Sequence, residues 1–168
     1  HLTNKVKNVD MNASITLPGY DDPIKPKPKA KYLGLIFDSK LTWKPHIESI
    51  KSRVTKSVGA LAKISGSVWG GSYGAVRKIY KATVLPQITY CCSAWYPGLI
   101  GRSQSQPVKM LASVQGKAAK VITGAYKGTS LPALDVEAFL APIDHTLEEL
   151  ALRAIVRMHS TQAYKTVV

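Results

Sequence analysis

Lys31-Tyr-Leu-Gly-Leu-Ile-Phe-Asp-Ser-Lys-Leu-Thr-Trp-Lys-Pro-His46 is the stretch on which the reading of this chain turns. Lys31 to Phe37 is short, apolar and aromatic, and predicts a buried strand. Asp38-Ser39-Lys40 supplies turn residues, and a helix start follows between Thr42 and Pro45. Pro45 suits a first helical position, where its missing N–H costs nothing, with Thr42 or Trp43 at or just before the cap. Upstream the sequence has the character of strands and turns; downstream nearly all of it is helical. Gly34 in the middle of the strand predicts a close approach to the backbone.

Working upstream, residues 1–12 hold at most a short strand. Ala13 to Leu17 alternates polar and apolar residues, and Pro18-Gly19 ends that run. Tyr20 to Pro28 is a connection rich in Pro and Lys. The expectation is a β-hairpin with arms at Ala13–Leu17 and Lys31–Phe37, joined by a long, basic, extended loop. Tyr20-Asp21-Asp22 imitates the paired aspartates that hold two metal ions in nucleotidyl transfer. Turn residues flank it on both sides, so Asp21 and Asp22 read as solvated loop residues and not as catalytic ones.

Working downstream, Ile47, Ile50, Val54, Val58, Leu61 and Ile64 form one apolar stripe, predicting a helix over 44–64. Lys44, Lys51, Arg53, Lys56 and Lys63 occupy its remaining surface. Ser65 to Gly71 is a break, with Trp69 as a loop anchor and Ser72 as the next cap. A helix from Tyr73 to about Leu85 puts Val76, Ile79, Tyr80 and Val84 inward and Arg77, Lys78 and Lys81 outward. Pro86 kinks or interrupts it, and Gln87 to Tyr96 reads as the most buried part of the helical half. Pro97 to Pro107 is a Gly/Ser/Gln-rich linker. Pro107 then opens a helix to Thr123 with Gly124 as its C-cap. Ser130 caps a short helix over 131–140, and Pro142 opens a last one to about Ser160, where Glu148 and Glu149 can pair with Arg153 and Arg157. The fold class is therefore α+β, a short N-terminal β-hairpin followed by a mostly α-helical bundle.

Twenty-three Lys and Arg against ten acids give this 168-residue chain a net charge of +13. The excess is spread along the sequence, which points to a polyanionic partner, most often nucleic acid. The apolar fraction of 45% argues for a packed core. No run is long enough to span a bilayer, and no secretion segment is evident. Cys91 and Cys92 are adjacent, lack zinc-site spacing, and read as small buried residues in a reducing compartment. His1, His46, His145 and His159 are scattered, as surface or capping residues. No phosphate-cradling loop and no Ser/His/Asp set occurs. Because the chain begins at His1, it reads as a piece of something longer.

The order of these features resembles the palm–thumb junction of reverse transcriptases of non-LTR (LINE-type) retrotransposons, in the manner of elements found in fungal genomes. The residues carrying this are Lys31 to Ile47, Ile64-Ser-Gly-Ser-Val-Trp-Gly70 and Arg77-Lys-Ile-Tyr-Lys-Ala-Thr-Val-Leu-Pro86. Tyr90, Ser93-Ala-Trp95, Gln115, Ile122-Thr-Gly-Ala-Tyr126 and Leu134 to Ile143 continue it. The resemblance implies that Tyr32, Leu33 and Gly34 form a primer grip holding the growing 3′ end. It implies an end of palm over 1–42, a thumb-like region over 43–97 and a helical extension over 98–168. Lys44, Lys51, Arg53, Lys56 and Lys63 are the inferred contacts to the nucleic acid. The partners expected are an RNA/DNA primer–template duplex and the upstream palm and fingers of the same polyprotein, with no membrane. The family's catalytic aspartates lie in an aromatic-x-Asp-Asp box well upstream of the Tyr-Leu-Gly strand, and this sequence contains no such box. The chain alone is thus expected to be inactive and to need no cofactor, Mg2+ belonging to the parent polymerase. An intracellular location follows, the nucleus favoured over the cytoplasm. The alternative is a stand-alone helical nucleic-acid-binding module, or a degenerate element remnant.

Overall fold

The computed structural model describes residues 14–16, 18–19, 22–25, 27–66, 70–96 and 106–161. They group into two compact units, one ending at Glu48 and one beginning at Ser49. The proposed loop anchor Trp69, the linker over 97–105, Asp21 and the chain before Ser14 lie outside the described residues.

In the first unit, β1 (Lys29–Tyr32) and β2 (Leu35–Asp38) form an antiparallel hairpin, in register from Lys29 opposite Asp38 to Tyr32 opposite Leu35. The expected hairpin is therefore present, but with different arms. Lys31–Phe37 is not one strand; it folds back on itself at Leu33-Gly34. Both turn residues have positive φ, 45° and 84°, as a two-residue turn matching the strand twist requires. Gly34 thus serves the turn, rather than a close approach in mid-strand. The strand expected over Ala13–Leu17 contributes an isolated bridge, in which Ile15 and Ile24 exchange backbone hydrogen bonds of 3.0 and 2.9 Å. Burial separates the two strands: all of β1 is exposed, whereas Leu35 and Asp38 of β2 are buried.

Helix α1 runs Lys44–Ile64, matching the predicted bounds. Ile47, Ile50, Val54, Val58 and Leu61 are buried, and Ile64, at the frayed end, is half exposed. In the second unit, α2 (Tyr73–Ile79) is capped by Ser72, whose hydroxyl accepts the Ala75 N–H. It leads into a π-helical turn, Tyr80–Val84, and then into α3 (Leu85–Thr89). Pro86 explains the widening. It has no N–H to return to Ala82, and an α-helical path would press its ring on that carbonyl. In the wide turn the Leu85 N–H instead reaches back to Tyr80 O.

The segment expected to be most buried, Gln87–Tyr96, is broken and only alternately buried. Tyr90 leaves the helix, Cys91 takes a left-handed φ of 49° and is exposed, and α4 (Cys92–Trp95) begins afresh. Cys92, Trp95 and Tyr96 are buried; Tyr90, Ser93 and Ala94 are not. The central element is α5 (Gln106–Thr123), which buries Val108, Leu111, Val114, Ala118, Ala119 and Ile122. Gly124, at φ 68°, closes it with an N–H to Lys120 O, the C-cap the sequence predicts. Next, α6 (Leu131–Glu137) packs so near that a Cβ on Gly116 would lie 2.1 Å from Leu131 Cδ2. Ser130 starts α6 without a side-chain cap, and Pro142 precedes α7 (Ile143–His159).

Gln115 is buried at the middle of this unit with every polar atom used. Its Nε2 donates to Asp135 Oδ1 (3.0 Å) and Ala141 O (2.9 Å), and its Oε1 accepts the Tyr80 hydroxyl (3.3 Å). Burial, with the Asp135 charge adding to it, pushes the Tyr80 phenol far above its ordinary value. Arg77 departs from the outward position expected for it. Half-buried, it donates to Ala138 O and Phe139 O and lies over the Phe139 ring, closing the C-terminal end of α6. Among the described residues no helix is long and apolar enough to cross a membrane.

Candidate nucleic-acid interface

In the first unit the turn presents Tyr32 and Leu33, 66% and 71% exposed, at the tip of a hairpin whose base is rigidly held. Asp38 does the holding. Its Oδ2 accepts the N–H and the hydroxyl of Thr42, both at 3.0 Å, and its Oδ1 accepts the Trp43 N–H at 2.9 Å. These bonds fix a connection in which Leu41 and Trp43 both take left-handed φ, 51° and 61°. Burial pushes the Asp38 carboxyl up, but the donors from Thr42 and Trp43 outweigh it and hold it below its ordinary value. Trp43 then packs on Phe37 at 5.1 Å and edge-on to His46. His46 is buried, contrary to its expected surface position, and its Nδ1 accepts the Ile36 N–H, which requires that nitrogen to be unprotonated.

One face of the hairpin opens a groove of about 510 Å³, lined by Ile24, Lys25, Lys27, Ala30, Tyr32 and Phe37. None of its described lining residues is acidic. Sequence reasoning passed over this groove, although alternating Lys and Pro just before Tyr32 were its signal.

Lys44 stands exposed in the first unit, at the start of α1. In the second unit Lys51, Arg53, Lys56 and Lys63 are exposed as well. They do not share one face. Arg53, Lys56 and Lys63 recur at helical spacing on the side opposite the buried stripe. Lys51 follows Ile47 and precedes Val54 and Val58 at that same spacing, so it stands at the stripe's edge. Glu48 is the one acidic residue of α1. Lys109 and Lys117 on α5 are also exposed, while Lys120 is partly used, its Nζ donating to Lys127 O. Asp22 is exposed, and no group of His, Cys, Asp and Glu suited to a metal ion occurs among the described residues.

No family model matches the chain, and no solved structure gives a match. Curated relatives do exist. The chain is 33% identical over 66 residues to the retrovirus-related Pol polyprotein from type-1 retrotransposable element R1 2 of Nasonia vitripennis, covering 39% of this chain and 16% of that protein. It is 29% identical over 123 residues to a 115 kDa protein in type-1 retrotransposable element R1DM of Drosophila melanogaster, 73% of this chain and 12% of that one. It is also 29% identical over 102 residues to the "Probable RNA-directed DNA polymerase from transposon X-element" of the same fly, 61% and 11%. All three come from insects, and the chain spans less than a fifth of the length of each. These similarities support the non-LTR (LINE-type) retrotransposon polymerase family, and a fragment of such a protein, for this chain.

Proposed function

We propose that this chain is the end of the palm and the thumb-like region of a non-LTR retrotransposon reverse transcriptase, gripping a primer–template duplex without doing chemistry itself. The observation that carries the reading is the Arg53, Lys56 and Lys63 face, exposed opposite the buried stripe of α1 in a chain whose relatives come from retrotransposons. Cations so placed meet phosphates and read no bases. In this reading Tyr32, Leu33 and Gly34 are the primer grip, with divisions near 42 and 97. Lys44 and Lys51 add contacts at the margins. The catalytic aspartates and their Mg2+ belong to an upstream palm, and the protein works on DNA in the nucleus. The fungal style rests on the sequence resemblance alone.

The test is duplex binding by fluorescence anisotropy across a salt series. Affinity is expected to fall steeply between about 50 and 200 mM salt with little sequence preference. Replacing Arg53, Lys56 and Lys63 together by Gln should flatten the slope by nearly one unit per lost phosphate contact. Unchanged affinity and slope would overturn the assignment.

A second reading is favoured by the fully hydrogen-bonded Gln115 in a well-filled core. Such a core suits a stand-alone binding module. Sequencing the source transcript upstream of His1 separates the two: an open frame with an aromatic-x-Asp-Asp box supports the polymerase, and a nearby start codon supports the module.

A further inference from the structure

We infer that the groove on the hairpin binds an unpaired nucleotide at the end of a nucleic-acid strand, stacking its base on Tyr32 and meeting its phosphate with Lys25 and Lys27. The inference deepens the duplex-binding reading above and names a substrate feature that a basic helix cannot distinguish.

The groove has the parts such a ligand needs. Its volume of about 510 Å³ lies within the range of small-ligand sites. Ala30 and Tyr32 alternate along β1, so they share a face, and register places Phe37 opposite Ala30 on that face. The small Ala30 leaves the floor open beside the Tyr32 ring. Phe37 packs on Trp43, and Ile24 is held by its bridge to Ile15. The walls are therefore fixed while the Tyr32 ring stays 66% exposed. Lys25 and Lys27 are exposed at the edge, with no acid among the described lining residues to neutralise them. An aromatic platform beside cations is how proteins hold unstacked bases without regard to sequence. A base inside a duplex has no free face to offer, so the groove selects an unpaired one.

The experiment uses the full chain and two labelled DNAs, a blunt duplex and the same duplex carrying a short single-stranded 3′ extension. The quantity read is the ratio of the two affinities for each variant. The wild-type chain should prefer the extension by about five-fold or more, the low end for base–aromatic stacking. Tyr32→Phe should keep the ratio. Tyr32→Ala should bring it near one, and so should Ala30→Leu, which fills the floor and leaves charge unchanged. A wild-type ratio of one overturns the inference, as does a folded Ala30→Leu variant that keeps the full ratio. Should Ala30→Leu fail to fold, the contrast between Tyr32→Phe and Tyr32→Ala decides. Blunt-duplex binding with a ratio of one sinks the groove alone. Binding of only the extended DNA sinks the duplex grip and supports the groove, and binding of neither sinks both.

Discussion

Asp38 and Trp43 are joined by a hydrogen bond of 2.9 Å, carboxylate to backbone N–H, that crosses the turn between the hairpin and the first helix. With the bond from the Thr42 N–H it satisfies two backbone donors in a connection where Leu41 and Trp43 are left-handed, and the Thr42 hydroxyl adds a third bond to the same carboxylate. The carboxyl is held below its ordinary value, so the sign is fixed. Its contribution is fully present above the unfolded value of about 3.9 and is lost as pH falls through the lower folded value. Asp38→Asn should cost about 1–2 kcal/mol at neutral pH and make the loss of stability below about pH 4 shallower. Urea midpoints at pH 7 and pH 3 check both; equal midpoints for the two proteins at pH 7 would refute it.

Leu33 carries a bulky side chain at φ 45° in a turn that favours Asn or Gly. Left-handed backbone costs such a residue about 1–2 kcal/mol. Leu33→Asn, giving Asn-Gly, should therefore stabilise the hairpin by about 1 kcal/mol. Slower amide exchange at the paired residues of β1 and β2 is the measurement. If Leu33 grips a primer, the same change should weaken duplex binding while the hairpin gains stability, the opposite directions marking strain kept for function.

Gln115 and Tyr80 should behave unequally. Tyr80→Phe removes one hydroxyl and should cost about 1 kcal/mol. Gln115→Ala leaves a cavity and strands Ala141 O and the Tyr80 hydroxyl, costing about 2–4 kcal/mol. Urea denaturation of both single variants and the double variant should give a combined cost smaller than the sum, because the partners are shared.

Arg77 tests the distinction between structural and binding cations. Arg77→Ala should lose about 1.5–3 kcal/mol of stability, having released two carbonyls of the α6 terminus. Arg77→Lys should recover part of it. The salt slope of duplex binding should not change in either variant, whereas Lys56→Gln with Lys63→Gln should lower the slope by about two and leave the melting temperature nearly constant.

The long helices were legible because each carries a strong apolar period: Ile47, Ile50, Val54, Val58 and Leu61 for α1, and Val108, Leu111, Val114 and Ala118 for α5. Caps with a local mechanism, Ser72 and Gly124, were legible too. The hairpin arms were not, because a turn through Leu33-Gly34 lacks the Asn or Asp that normally announces it, and an apolar run then passes for one strand. Burial of His46 and the inward bonds of Arg77 depend on partners outside their own helices. In the same way, the break at Tyr90-Cys91 follows a mostly apolar stretch whose period says nothing of where the chain must bend. Of the interface, exposure of the chosen cations agrees with the sequence, but their division into a shared face and an outlying Lys51 needs the orientation of the buried stripe.

The π-helical turn at Tyr80–Val84 decides which residues of the following helix face the core. It holds one residue more than a regular helix would use, so it sets the rotational phase of everything that follows. Removing one of the exposed residues Lys81, Ala82 and Thr83 would let the segment close into a regular helix with Ile88 still facing the core, but would set the ring of Pro86 against the carbonyl four residues before it. Exchanging residues there, with length kept, leaves the phase untouched. The extra residue is thus tied to Pro86, and a deletion there would be accommodated only together with replacement of that proline.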